Sequence, residues 1–354
     1  MNNELKNEND DVENSEDLCK AINGIENIDT SKLNILDEEL INSSLAGISH
    51  KKSLELWDLD LDVLLNTTNN LKIICKNNQK PKMDLCSIIN AKSGKCTQNC
   101  SFCAQSIHNT CEIDEYGLKT PEEILKNAKG MEKYCNRYSI VTSGKKVSDE
   151  EFETILGTLI SIQKETSLKT CASLGILSKD QIKAFAENNI RLHNNLETSK
   201  NYFDKICTTH SYEDKYKVSQ KAKKYGVSVC SGGIFGLGES KKDRHSMLYD
   251  LKELGVDSIA LNLLHPIKGT KNYELLDNKV YTPIGVIEAL KSIAIAKIIY
   301  PQSNIRLCGG REHVLKDLQN LALYSLDGLM VGNYLTTDGR NPDKDLKMLK
   351  EMGF

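Results

Sequence analysis

The sequence contains no run of 18 consecutive apolar residues, so we expect no membrane-spanning helix. Its N-terminus lacks the order of basic and then apolar residues that marks a secretory signal. Basic residues do not exceed acidic ones, and the net charge of −3 gives no basic face for nucleic acid. The sequence therefore predicts a cytoplasmic protein that binds neither membranes nor nucleic acid.

Hydrophobic residues make up only 39% of the 354 residues, and part of this deficit lies at the N-terminus. Residues 1–45 are rich in Asn, Asp and Glu and predict a polar, disordered extension. The rest of the chain is long enough to bury a full core. Residues 46–85 predict a helical lead-in, and residues 338–354 predict a loop and a closing helix.

Short apolar runs alternate with charged segments whose apolar residues recur about every 3.6 positions. The predicted strands cover residues 87–92, 137–143, 168–174, 190–197, 227–237, 258–265, 304–310 and 327–333. Eight strands alternating with helices favour the α/β class, as a (β/α)8 TIM-type barrel over residues 86–337 with an N-terminal helical extension. In such a barrel the active site lies at the carboxyl ends of the strands.

Twelve cysteines are many for a chain expected in a reducing compartment, where grouped cysteines bind metals or act in catalysis. Cys96, Cys100 and Cys103 follow the first predicted strand with C-x3-C-x2-C spacing. Three thiolates on one loop can hold a 4Fe–4S cluster and leave one iron open for a substrate. The alternative is a structural zinc site, which needs four protein ligands and would have to recruit Cys111.

This cysteine motif, with Phe102 before its third cysteine, resembles that of the radical S-adenosylmethionine superfamily. Residues 80–353 resemble the biotin synthase family in particular, above all in CTTHSYEDK (207–215) and VCSGGIFGLGE (229–239). The resemblance implies a sulfurtransferase that converts dethiobiotin to biotin, the last step of biotin biosynthesis. It implies a 4Fe–4S cluster that generates 5′-deoxyadenosyl radicals from S-adenosylmethionine, and an auxiliary 2Fe–2S cluster as sulfur donor. An electron donor such as flavodoxin or ferredoxin, and a homodimer, are also implied.

The resemblance implies that the auxiliary cluster lies inside the barrel on residues that match Ser139, Cys171, Cys230 and Arg306. Serine at position 139 departs from the family cysteine, and a hydroxyl is far harder to deprotonate than a thiol. Cys308 should share a strand face with Arg306, two residues earlier. We therefore hypothesise that Cys308 is a further ligand at this site, and we leave the number of iron atoms in the cluster open. The alternative is that Cys308 is a small buried hydrophobic residue.

Contacts to the two organic molecules are implied in the same way. The S-adenosylmethionine contacts would be Phe102, Asn195, Glu197 and Gly236, and the dethiobiotin contacts would be Asn262, Thr336 and Thr337. Glu197 stands where the family more often has Asp, and the order His193-Asn194-Asn195 departs from the commoner Asn-His-Asn. An ordinary alternative exists for the polar residues, because Asn and Thr at strand ends often only form caps and turns.

Two other functions are weighed against this one. A related radical enzyme, such as a hydrogenase-cofactor maturase or a methylornithine-forming isomerase, would not need Cys171, Cys230 and Arg306 together. An iron–sulfur electron carrier or sensor would have little use for an open iron or for a barrel of this size.

The cysteines expected to have no ligand role are Cys19, Cys75, Cys86, Cys111, Cys135 and Cys207. The histidines expected to be ordinary are His108, His210, His245, His265 and His313.

Overall fold

The computed structural model describes residues 35–76 and 82–354. Within them, eight parallel strands pair in chain order, and the eighth pairs with the first to close a barrel. This confirms the predicted (β/α)8 class. The strands are β1 Asp84–Lys92, β2 Arg137–Thr142, β3 Lys169–Ser173, β4 Arg191–His193, β5 Val229–Phe235, β6 Ser258–Leu263, β7 Asn304–Leu307 and β8 Gly328–Met330.

The helices surround this barrel and precede it. They are α1 Ile35–Leu45, α2 His50–Leu54, α3 Leu61–Cys75, α4 Pro121–Met131, α5 Asp149–Glu165, α6 Lys179–Glu187, α7 Lys200–Ile206, α8 Tyr212–Lys224, α9 Lys241–Leu254, α10 Lys271–Asp277, α11 Val286–Ile299, α12 Arg311–Leu315, α13 Gln319–Ala322 and α14 Pro342–Glu351. Many begin with a locally encoded signal, a Ser or Thr N-cap whose bond is returned by the side chain three residues on. Such capping boxes start at Thr120, Ser148, Ser178, Ser211 and Ser240.

The main apolar core lies between the barrel and its helices. Strand residues such as Ile140 and Ile259, and helix residues such as Ile155 and Leu251, are fully buried in it. In the part of the chain that the structure describes, no helix has the length and apolarity needed to cross a membrane.

Helix α1 lies inside the segment expected to be a disordered extension. Its residues Leu40 and Ile41 are buried, and Ser44 Oγ donates a hydrogen bond of 2.6 Å to the carbonyl oxygen of Ile298 in α11. The expectation of disorder up to residue 45 is therefore wrong for residues 35–45, which form a helix that packs against α3 and α11. The prediction for residues 1–34 lies outside the described residues.

Helix α3 packs at the amino-terminal end of the barrel through buried polar contacts. Lys72, only 1% exposed, donates a hydrogen bond of 2.5 Å to the carbonyl oxygen of Leu323. Burial lowers the pKa of Lys72 to about 7. Nearby, Lys297 Nζ lies 2.8 Å from Asp327 Oδ2, and both residues are buried. These contacts place a lysine with a strongly lowered pKa near a buried ion pair.

Helix α14 fixes the segment that follows β8. Asp345 in α14 is 0% exposed, and its Oδ2 lies 2.6 Å from Arg311 Nη2 in α12, where Arg311 is 1% exposed. Gln319 accepts a further hydrogen bond from Arg311. Between β8 and α14, the carbonyl oxygen of Leu335 accepts a hydrogen bond of 2.8 Å from Asn90 Nδ2 of β1. The segment between β8 and α14 is thus attached to β1 by this hydrogen bond and to α12 through α14.

Candidate active site

The carboxyl ends of the strands open onto a cavity of about 360 Å³, a size ordinary for a small-molecule site. The predicted site residues that line it are Phe102, Cys103, Ser139, Cys171, Asn195, Glu197, Cys230, Asn262, Arg306, Cys308, Thr336 and Thr337. The barrel therefore brings residues from most of the chain into one space. Three predicted site residues do not line the cavity, namely Cys96, Cys100 and Gly236.

The three-cysteine loop follows β1 and folds back on itself. Cys96 N donates to the carbonyl oxygen of Gln105 at 3.1 Å, and the carbonyl oxygen of Cys96 accepts from Ile107 N at 2.9 Å. Asn109 Nδ2 donates to the carbonyl oxygens of Cys100 and Cys103. Burial raises the pKa of the Cys103 thiol to about 11, so binding a metal at this loop would release protons. The loop places Cys103 and Phe102 at the cavity.

Cys207 and His210, expected to have no ligand role, lie beside this loop. Cys207 Sγ is 3.8 Å from Cys100 Sγ and 3.2 Å from His210 Nδ1. The ligand atoms of Cys100, Cys207 and His210 all lie within 4.8 Å of one another. The hydrogen bond that Cys100 Sγ donates to Cys207 Sγ raises the pKa of Cys100 and lowers that of Cys207. The two cysteines are thus neighbours, although 107 residues separate them in the sequence.

A second group of thiols lies inside the barrel. Cys86, Cys230 and Cys308 pack together with Ala260 and Met330, and each of the three cysteines is at most 8% exposed. Cys86 was expected to have no role, yet it lines the cavity. It points inward with Ile88, two residues along β1, and no spacing motif marks it in the sequence.

Cys171 and Ser139 line the cavity from β3 and β2, where they are register partners. Burial raises the pKa of Cys171 to about 11, against the opposing effect of a hydrogen bond from Ser139. Burial also raises the pKa of Cys308 well above its usual value. These thiols are therefore protonated in the cluster-free chain, and a metal would have to displace their protons.

Arginine side chains border these thiols. Arg306, 2% exposed, forms an ion pair with Asp84. Burial acts to raise the pKa of Asp84, but the charges of Arg306, Arg137 and Arg191 and a hydrogen bond with Asn136 together hold that pKa below its usual value. Arg137 and Arg191 also line the cavity. Arg306 Nη1 and Arg137 Nε are buried without a hydrogen-bond partner among the described residues.

The chain after β4 carries a second set of polar groups. Glu197 has a positive φ of 71°, which is uncommon outside glycine and often marks a functional position. Its Oε1 lies 3.6 Å from Lys215 Nζ, and both residues line the cavity. Asn195 also lines it, and its Oδ1 is buried without a partner in the described part of the chain. Sequence reasoning did not single out Lys215, although it belongs to the specific segment 207–215.

The two residues before Asn195 have different surroundings. Asn194 is 6% exposed, and its Nδ2 donates to the carbonyl oxygen of Lys215 and to Ser219 Oγ, both at 2.8 Å. It therefore anchors α8 to the end of β4. His193 lines the cavity, and burial lowers its pKa to about 4, so its imidazole is neutral near pH 7.

Gly236, expected to contact S-adenosylmethionine, lies in a turn outside the cavity lining. Its φ is +98°, its N–H donates to Glu239 Oε1 at 2.9 Å, and an added Cβ would lie 2.8 Å from Ile284 Cγ2. Glycine is thus needed here for the turn and for the packing of Ile284. Within the segment 232–239, Ile234 is the residue that lines the cavity.

Asn262, Thr336 and Thr337 line the cavity from β6 and from the segment after β8. Asn262 Oδ1 accepts from Gly309 N at 2.9 Å, and its Nδ2 donates to the carbonyl oxygen of Gly233 at 3.3 Å. An amide has two N–H groups and two acceptor lone pairs, so Asn262 keeps one of each for a ligand. Both threonines are half-buried.

Two family models match the chain, one ending before β6 and the other beginning within it. Residues 91–251 match the radical SAM superfamily, and residues 260–354 match the Biotin and Thiamin Synthesis associated domain. Residues 91–251 therefore form a radical S-adenosylmethionine (SAM) segment, as the cysteine loop on a parallel barrel indicated. Curated relatives then narrow the family. A biotin synthase of Methanococcus maripaludis is 59% identical over 91% of this chain and 98% of its own length. A biotin synthase of Methanocaldococcus jannaschii is 48% identical over 85% of this chain and 96% of its own length. The chain therefore belongs to the biotin synthase family.

Solved structures show the same fold. Methylornithine synthase (PylB) superposes with a TM-score of 0.74 at 17% identity, over 89% of this chain and 96% of its own. HydG, a maturase of the [FeFe]-hydrogenase, superposes with a TM-score of 0.75 at 17% identity, over 97% of this chain and 79% of its own. At such low identity these matches bear on the fold alone.

Proposed function

We propose that this chain converts dethiobiotin to biotin by inserting sulfur, and that the cavity in the barrel is the site of that reaction. The single observation that carries the proposal is that one cavity is lined by cysteines of both groups, by Cys103 from the three-cysteine loop and by Cys171 and Cys230 from the strands. Close placement of both groups suits a reaction in which a radical made at one must be quenched by sulfur from the other. Family membership supports the same reaction.

The donor sets fit the two iron–sulfur groups that the proposal requires. Cys96, Cys100 and Cys103 would hold a 4Fe–4S cluster and leave one iron for S-adenosylmethionine. The buried thiols and the unpartnered N–H groups of Arg306 and Arg137 suit an anionic group inside the barrel. When bound, the first cluster supplies the electron that cleaves S-adenosylmethionine, and the auxiliary cluster, expected to be 2Fe–2S, supplies the sulfur.

The protein residues would bind and orient the two organic molecules. The Glu197 carboxylate would accept hydrogen bonds from the two ribose hydroxyls of S-adenosylmethionine. The unpartnered Oδ1 of Asn195 would accept a further hydrogen bond from the same ligand. Phe102 would contact it from the cysteine loop. Lys215 would fix the Glu197 carboxylate, from which it lies 3.6 Å away.

Dethiobiotin would bind deeper in the same cavity. The remaining N–H and lone pair of Asn262 match the acceptor and donor of its cyclic urea. Thr336 and Thr337 would meet its carboxylate with hydroxyl and backbone N–H groups. Apolar lining from Ile88, Ile234 and Met330 would exclude water and competing hydrogen donors from a radical.

The test is anaerobic reconstitution of the full chain, followed by reduction with S-adenosylmethionine present. We expect 5′-deoxyadenosine and biotin to form only when dethiobiotin is added. A Cys171→Ala variant should still cleave S-adenosylmethionine but form no biotin, because it keeps the three-cysteine loop. Cleavage in wild type without any biotin would contradict the proposal and would favour another radical enzyme of this fold. A chain that transfers electrons but never cleaves S-adenosylmethionine would instead be a carrier.

We also propose a flavodoxin or a ferredoxin as the electron donor, a homodimer as the assembly and the cytoplasm as the location. A donor is needed because each adenosyl radical consumes one electron. Size-exclusion chromatography with light scattering on the reconstituted chain tests the dimer. The domain limits at residues 45, 85 and 337 stay predictions.

A further inference from the structure

The barrel contains one more inward-facing thiol than the expected ligand set provides for. We propose that the auxiliary cluster is held by four thiolates, of which Cys86 is the fourth, and that Ser139 is not a ligand. The other three thiolates are Cys171, Cys230 and Cys308. This inference rests on the proposed function, because that function requires an auxiliary cluster at this place.

The packing of the barrel interior supports this set. Cys86, Cys230 and Cys308 form one contact cluster inside the barrel, with exposures of 8%, 6% and 6%. Cys171 faces the same cavity. These four cysteines stand on β1, β3 and β5 and immediately after β7, so they approach a common space from different sides of the barrel. Four thiolates from separate strands can each take a different metal coordination position.

Arg306 is poorly suited to be a ligand in this chain. Its ion pair with half-buried Asp84 keeps the guanidinium protonated, and a protonated guanidinium has no free lone pair for iron. Arg306 instead lies close enough to Cys86, Cys230 and Cys308 to act on all three by charge. Its unpartnered Nη1 can donate to a thiolate or to a bridging sulfide. A charged neighbour of the cluster is therefore a better description of Arg306 than a ligand.

The buried charges favour four thiolates over three. Arg137, Arg191 and Arg306 bring three positive charges to the cavity, and Asp84 is the carboxylate that interacts with Arg306 and Arg137. An oxidised iron–sulfur core with four thiolates carries a net charge of about −2. That charge offsets the two positive charges that Asp84 leaves uncompensated. A set with one thiolate fewer would leave one of these positive charges inside the cavity unpaired, which is unfavourable away from bulk water.

Ser139 has a different partner. It pairs in register with Cys171 and interacts with the thiol by a side-chain hydrogen bond. Its hydroxyl can thus donate to the Cys171 sulfur, and hydrogen bonds to ligand sulfurs tune the reduction potential of a cluster. Ser139 is a positioning residue in this scheme. Its loss should change the potential of the cluster and leave the iron in place.

The test compares four variants of the full chain, each reconstituted anaerobically with 57Fe and analysed for iron, sulfide and Mössbauer spectrum. Cys86→Ala should lose the auxiliary iron at least about tenfold, and Cys86→Ser should lose most of it. Both should keep the iron of the first cluster and the binding of S-adenosylmethionine to it. Ser139→Ala should keep all the iron and shift the auxiliary reduction potential. Cys135→Ala, which removes a buried cysteine that does not line the cavity, should match wild type.

Wild-type auxiliary iron and spectra in both Cys86 variants would overturn the inference. So would loss of auxiliary iron in Ser139→Ala. If Cys86→Ala also loses the first cluster, the alanine variant has misfolded, and the near-isosteric Cys86→Ser decides the outcome. Absence of auxiliary iron from wild type itself would overturn the proposed function and this inference together. Normal auxiliary iron in the Cys86 variants would overturn the inference alone.

Discussion

The Arg311–Asp345 pair offers a sharp test of how α14 supports the site. Asp345 is 0% and Arg311 1% exposed, and burial raises the pKa of Asp345 even with Arg311 beside it. The pair as a whole therefore stabilises the fold little. Removing one partner is different, because it leaves the other charge buried and uncompensated, a loss of roughly 3–5 kcal/mol. Gln319 still accepts from Arg311. We therefore expect Asp345→Asn to lower the free energy of unfolding by about 3 kcal/mol, the lower end of that range.

The consequence for function follows from the segment between β8 and α14. This segment carries Thr336 and Thr337, so weaker docking of α14 should raise the KM for dethiobiotin more than it lowers kcat. The assays are urea denaturation of the cluster-free chain and steady-state biotin formation. The control is Asp343→Asn, which removes the same charge from the same first turn at an exposed position and should change stability by less than about 0.5 kcal/mol.

A double variant distinguishes a buried charge from simple loss of packing. Arg311→Met combined with Asp345→Leu removes both charges and should be more stable than Asp345→Asn alone. Equal midpoints for Asp345→Asn and Asp343→Asn would refute the reasoning. A double variant less stable than the single one would refute the claim that the uncompensated Arg311 charge dominates.

Three further predictions concern other parts of the fold. The pKa of Lys72 is lowered from 10.5 to about 7, so the folded chain binds this proton more weakly than the unfolded chain. Stability should therefore rise with pH between about 7 and 10.5 by up to about 1.4 kcal/mol per unit from this group, and Lys72→Met should lose that slope in urea titrations. Gly232→Ala should destabilise the barrel by at least about 3 kcal/mol, because the new Cβ would overlap the carbonyl oxygen of Ala260 on the neighbouring strand, and thermal denaturation measures this. Glu197→Gln should raise the KM for S-adenosylmethionine roughly 10- to 100-fold with little change in kcat, because it weakens a charge-assisted hydrogen bond worth about 1.5–3 kcal/mol.

The first two of these predictions have matched controls. Lys164→Met changes an exposed helical lysine and should keep the pH slope of wild type. Gly157→Ala places a Cβ in open space within α5 and should be neutral or slightly stabilising. A pH slope that survives in Lys72→Met, a stable Gly232→Ala or an unchanged KM in Glu197→Gln would each contradict the corresponding argument.

The barrel was predictable because its strands are short apolar runs separated by helices with locally encoded starts. Thr120 and Ser148, for example, each begin a helix through a capping box within four residues. Strand ends were less predictable. The fourth strand was expected over 190–197 but ends at His193, and Glu197 beyond it has a positive φ. Helix α1 was missed because its own sequence shows little amphipathic pattern and it packs against α3 and α11.

The site was predictable where residues follow one another closely and unpredictable where only closure of the barrel joins them. Cys96, Cys100 and Cys103 share one loop, so their spacing alone indicated a cluster. Cys86 meets Cys308 only because β8 closes the barrel between β1 and β7, and no local pattern indicates that contact. Cys207 reaches Cys100 by a similar long-range contact.

The single cavity constrains the order of events during turnover. Phe102 and Cys103 come from the loop that follows β1, at the carboxyl ends of the strands, whereas Cys86 lies near the start of that strand, deeper in the same space. A molecule bound near the thiols would therefore lie behind the three-cysteine loop and whatever that loop holds. We expect dethiobiotin to enter before S-adenosylmethionine, and the intermediate between the two hydrogen abstractions to stay bound while the adenosyl donor is exchanged.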